Sequence, residues 1–182
     1  LIGDRFQFLD DAPTATDPLT APIIDEKYLP LGSEPWNGTG SSPLVASDSL
    51  TVNFGADRGT GTTADVVFTA TTINALNEWD TIALGETENN LTFIISNAGH
   101  TITASNAGGT VFTIDLTVNP ATNAVSYTFT LSKALEHNGL SQLNIPLHGL
   151  SVVDADGDTV PLNFNVIVVD DEPPITPQAI TV

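Results

Sequence analysis

An all-β fold, an antiparallel β-sandwich, is what this sequence predicts, and three observations carry the prediction. Apolar and polar residues alternate with period two over long runs, turn residues punctuate those runs at regular spacing, and the helix signal is weak throughout. The alternation is clearest in three segments. Phe112, Ile114, Leu116 and Val118 oppose Thr113, Asp115 and Thr117; Val125, Tyr127, Phe129 and Leu131 oppose Ser126, Thr128 and Thr130; Leu162, Phe164, Val166 and Val168 oppose Asn163, Asn165 and Ile167. One buried and one wet face per strand is how the sheets of a sandwich present themselves.

In chain order, Leu1 to Asp11 reads as a short extended run closed by Ala12-Pro13, and Pro13, Pro18, Pro22 and Pro30 then favour stiff, extended backbone over helix. Gly32 to Ser42 is loop by composition. Strands are expected over Ser49–Phe54, Asp65–Thr71, Leu91–Ser96, Thr101–Ser105, Thr110–Val118, Val125–Leu131, Leu147–Val153 and Thr159–Asp170, on their Val, Ile, Thr and Phe content. Asn119 to Asn123 reads as a hairpin loop, and Ile73–Trp79 as a helix of at most a turn or two.

With 182 residues the chain fits one domain. Its formal net charge of −18, from 22 acidic against 4 basic residues, removes the basic patch that nucleic acid or anionic lipid requires, so cationic partners and metal ions come first. Acidity of this order accompanies disorder in many chains, but 41% hydrophobic residues supply the apolar surface that disordered chains lack. There is no cysteine, so no disulfide frame or thiol site exists. No apolar run approaches the ~20 residues that span a bilayer, which argues against membrane insertion.

The chemistry concentrates between Gly149 and Pro174. Asp154, Asp156 and Asp158 crowd one short loop before the last strand, and Asp170, Asp171 and Glu172 follow it. Carboxylates this dense repel one another, and Ca²⁺, which takes six to eight oxygen ligands in flexible geometry, relieves the repulsion. The plain alternative is a solvated Asp/Gly turn. The spacing also resembles the opening of an EF-hand, but its twelfth position is Asn165 and Pro161 with strand residues replaces the exiting helix, so that motif is rejected. LDDAP near the start and VDDEPP near the end repeat one design of strand, paired acid and proline, as the seams of a tandem array do. The start at Leu1 without methionine and the strand-like ITV at the end fit an excised segment of something longer.

Other residues carry weaker signals. Trp36 on its loop and Trp79 are candidates to stack on a sugar or peptide, against the simpler expectation of rings folded onto the core edge. Asn37 and Asn90 head glycosylation sequons of a very common kind. His100, His137 and His148 are scattered and carry no nucleophile motif, and Glu86 with Glu88 reads as solvated loop charge, so an enzyme is not expected and a polysaccharide-active one is a remote alternative.

LTVNFGADRG (Leu50–Gly59), GGTVFTIDL (Gly108–Leu116), YTFTLSKALEH (Tyr127–His137) and VDADGDTVPLNFNVIVVDDEPP (Val153–Pro174), with the acidic IDEKYL stretch (Ile24–Leu29) upstream, resemble the repeat modules of large type I-secreted adhesins of the repeats-in-toxin class. The resemblance implies an immunoglobulin-like or cadherin-like tandem module on a bacterial cell surface, bound to Ca²⁺, that acts as an extender or scaffold in adhesion and biofilm formation. Its partners would be neighbouring modules of the same chain and a host or biofilm glycan or peptide, with the module itself monomeric; a ligand-binding module is the alternative. The glycine-rich nonapeptide that names the class is absent, so the segment is not the calcium β-roll.

On this reading residues 1–11 are the exit strand or linker of a preceding module, 12–174 the sandwich, and 175–182 the linker onward. An extended Thr159–Asp170 puts Asp158 and Asp170 at opposite poles, more than about 30 Å apart. The expectation is therefore a seam site in which Asp10 and Asp11 share an ion with Asp154, Asp156 and Asp158, while Asp170, Asp171 and Glu172 await the same loop of the next module.

Overall fold

The computed structural model describes residues 11–56, 64–84 and 91–172. Two sheets face each other. The larger holds β1 (Thr14–Thr16), β3 (Val45–Asn53), β8 (Ala124–Leu131), β7 (Gly109–Asn119), β6 (Thr101–Asn106) and β5 (Thr92–Ser96), hydrogen-bonded in that order. The smaller runs β2 (Ile23–Asp25), β10 (Thr159–Val169), β9 (Gln142–Val153), β4 (Asp65–Val67). The all-β sandwich expected from the alternation is what forms. Among the described residues all pairings are antiparallel except β2 with β10, where Ile23 lies beside Ile167 and both strands run the same way. That exception follows from the proline-rich start: Pro18 and Pro22 interrupt the chain between β1 on one sheet and β2 on the other, so a single extended segment crosses between sheets without reversing.

The period-two faces select the core. Phe112, Ile114, Phe129, Tyr127, Leu162 and Val166 are all buried, and their polar neighbours point outward. Tyr127 stacks on Phe164 across the sandwich with centroids 4.2 Å apart, and within the larger sheet Phe112 stacks on Phe129 at 5.0 Å. Each such side chain removed from water contributes about 1.5–3 kcal/mol, and this burial is the main support in a chain without disulfides.

One expected strand is corrected. Asp65–Thr71 is strand only to Val67, and Thr69 starts a helix, α1 (Ala70–Trp79), of 10 residues in place of the shorter Ile73–Trp79 turn. The reason is a reciprocal cap: Thr69 Oγ1 accepts from the Thr71 amide at 3.1 Å, while Thr72 Oγ1 accepts from the Thr69 amide at 3.2 Å. Thr71, a β-former by composition alone, is thereby drawn into the first turn. The helix buries Leu76 and Trp79 and packs against β9. It lies beside the part of β9 that has no second strand partner, since β4 pairs only with Ser151–Val153. Pro146 occupies this stretch, where a strand can tolerate the missing N–H. α1 runs into a π-helical turn, Asp80–Leu84.

β9 carries a bulge. His148 and Gly149 together oppose Asn163, between the Leu150–Leu162 and Leu147–Phe164 pairs, and the Gly149 amide donates to Asn163 Oδ1 at 2.8 Å.

Candidate functional site

The turn joining β9 to β10 brings Asp154, Asp156 and Asp158 together, with one carboxylate oxygen from each lying within 4.8 Å of the others. Asp154 forms the inner wall at 2% exposure; its Oδ1 accepts from the Gly157 and Asp158 amides at 3.1 and 2.8 Å, and its own amide donates to the Asp158 carbonyl at 3.1 Å. Asp156 and Asp158 are exposed and close the group from outside. These bonds fix the loop backbone and the Asp154 carboxylate. The two described basic side chains are engaged elsewhere, Lys27 with Asp25 and Glu34 and Lys133 with the Gly108 carbonyl. Three carboxylates form a hard-oxygen donor set that fits Ca²⁺, with further positions left to water or a neighbour.

Asp10 lies outside the described residues, as do Glu86, Glu88 and Asn90. Asp11 is at the same pole as the loop: Asp17 is bonded to Asn163 early in β10, and the chain before it runs back past the start of that strand. Its carboxylate turns instead to the end of β3, accepting from the Ala56 amide at 2.9 Å, and does not join the group of three. Asp170, Asp171 and Glu172 lie at the far pole and diverge. Asp170 approaches Glu26 and His137, Asp171 accepts from the amide and hydroxyl of Ser33, and Glu172 is exposed.

Trp36 is 38% exposed with its indole N–H donated to the Thr39 carbonyl at 3.2 Å, while Trp79 is buried against the core under α1. Among the histidines, His100 Nε2 lies 2.7 Å from Asp65 Oδ1 and His148 Nε2 3.0 Å from Asn165 Oδ1, both on exposed or half-buried surface.

A second cluster was not anticipated. Glu26, in the 3₁₀ turn Glu26–Tyr28 after β2, is 3% exposed; His137, in the connection from β8 to β9, is 4% exposed; and each offers a ligand atom within 4.8 Å of the other's and of Asp170's. Burial pushes the Glu26 carboxyl above its ordinary range, against the opposing pull of the Leu135 amide and of His137. The acidic IDEKYL stretch and the LEH sequence were visible in the sequence as separate features, but nothing in their spacing joins residues so far apart.

No protein-family model matches the chain, nor does any curated protein or solved structure.

Proposed function

We propose that the chain is a non-catalytic, calcium-ordered module of a large bacterial cell-surface adhesin, serving as an extender or scaffold and held in the extracellular space, where millimolar calcium suits a site of a few carboxylates on one loop. The observation that carries this reading is the convergence of Asp154, Asp156 and Asp158 on one turn at a pole of the sandwich, where the preceding module of an array would dock. Asp11 at the same pole supports a junction there, as does the long uninterrupted β10 that separates the two ends. The non-catalytic reading is supported by the histidines, each of which packs against a different partner at a different place. No helix among the described residues is long and apolar enough to cross a membrane.

Thermal unfolding with calcium and with chelator tests the proposal. Calcium is expected to raise the Tm, because a ligand at 100 times its Kd stabilises the native state by about 2.7 kcal/mol. Asp156→Ala is expected to remove most of that shift. Coincident curves with and without calcium, for parent and variant alike, would overturn the reading.

A further inference from the structure

At the pole opposite the calcium candidate, three segments far apart in sequence deliver Glu26, His137 and Asp170 to one buried point. β2 and β10 run parallel and end together, so Glu26 and Asp170 leave their strands side by side, and the Asp170 amide is tied to the Ser141 carbonyl at 3.1 Å, just beyond the loop that holds His137. Both His137 ring nitrogens are fully buried, and among the described residues neither makes a well-aligned hydrogen bond, Glu26 being the one carboxylate in contact with the ring. Nε2 stands 3.3 Å from Glu26 Oε1, close in distance but not aligned for a bond. A ring nitrogen left unsatisfied in the interior, as Nδ1 is, costs about 1–3 kcal/mol, and a buried carboxylate costs more unless it is well paired. The Leu135 amide, donating to Glu26 Oε1 at 2.7 Å, offsets only part of this.

We infer that Glu26, His137 and Asp170 form a binding site for a first-row divalent cation of the Zn²⁺ type. An imidazole nitrogen with two carboxylate oxygens is a mixed donor set that Zn²⁺ accepts in tetrahedral geometry, with a fourth position free for water, whereas Ca²⁺ takes oxygen ligands alone. The 3.3 Å between His137 Nε2 and Glu26 Oε1 matches the spacing of about 3.3–3.5 Å between two ligands of a tetrahedral Zn²⁺, and the Asp170 carboxylate, within 4.8 Å of both, closes on the ion by a side-chain movement on the order of 1 Å. A cleft of about 410 Å³, lined by Leu29, Leu31, Lys133 and Asp171, reaches Glu26 from outside. The cation would clamp the ends of β2 and β10 to the β8–β9 connection. The site is independent of the Asp154 loop, from which the length of β10 separates it.

The test titrates chelator-treated protein with Zn²⁺ alone, following the Tm and the His137 ring nitrogens by NMR. One equivalent of Zn²⁺ is expected to raise the Tm and shift the His137 nitrogens. His137→Gln and Asp170→Asn are each expected to weaken binding at least about ten-fold, while Asp156→Ala and His100→Gln, which alter the other pole and the surface His100–Asp65 pair, bind as the parent does. Asp170 is only half buried, so Asp170→Asn decides the matter if His137→Gln fails to fold. Unchanged His137 nitrogens at one equivalent, Zn²⁺ affinity surviving Asp170→Asn, or a doubly protonated His137 ring indifferent to the metal would overturn the inference. None of these outcomes bears on the calcium response, which is read through Asp156.

Discussion

Glu26 Oε1 accepts a 2.7 Å hydrogen bond from the backbone amide of Leu135, so a buried carboxylate on the 3₁₀ turn after β2 closes the segment that follows β8. Both groups are buried in the native structure. In chelator, Glu26→Ala is therefore expected to cost about 1–3 kcal/mol in denaturant unfolding through the orphaned N–H, while Glu26→Gln keeps an acceptor of the same reach and stays closer to the parent. Equal losses from the two variants would show that the hydrogen bond is not what Glu26 contributes.

Gly149 predicts a backbone effect of comparable size. It sits at φ +75° in the β9 bulge, and a Cβ built there would stand 2.4 Å from Thr71 Cγ2, while its carbonyl accepts from Thr69 Oγ1 at 2.7 Å. The helix cap and the bulge thus occupy one another's space. Gly149→Ala combines left-handed strain with a clash against the first turn of α1, and a loss of about 2 kcal/mol or more is expected, with amide exchange in α1 accelerated first. An unaltered exchange pattern in Ala70–Trp79 would argue that cap and bulge are not joined.

Asp80 carries the pH prediction. It is 8% exposed, its Oδ2 accepts from the Leu91 amide at 3.2 Å, and its Oδ1 is buried without a partner. Burial raises this carboxyl above its ordinary value, with the Leu91 amide opposing. Because the folded value lies above the unfolded one, the stability it contributes is fully present below the unfolded pKa and is lost as the pH rises through the folded pKa. Asp80→Asn, which keeps the acceptor for Leu91, is expected to gain Tm relative to the parent at pH 7, with the gain shrinking toward pH 3.5. A difference independent of pH would mean that Asp80 ionisation does not limit stability.

The three alternating runs, Phe112–Val118, Val125–Leu131 and Leu162–Val168, determined by themselves that the protein is a two-layer β-structure and which side chains fill it, because period two dictates a strand face whatever the strand pairs with. The DADGD cluster was likewise legible, since a short loop holds its own residues together and proximity in sequence is proximity in space. Two kinds of feature were not. The helix at Ala70–Trp79 was masked by β-forming threonines whose hydroxyls instead satisfy the first turn, a choice reinforced by the Thr69 bond to Gly149 on another strand. The Glu26–His137–Asp170 cluster has no local signal at all: a 3₁₀ turn, a connecting loop and a strand end become neighbours only because β2 pairs parallel with β10 while β9 returns alongside it. Local periodicity is written residue by residue, whereas the meeting of distant side chains depends on strand order, which the tertiary packing alone decides.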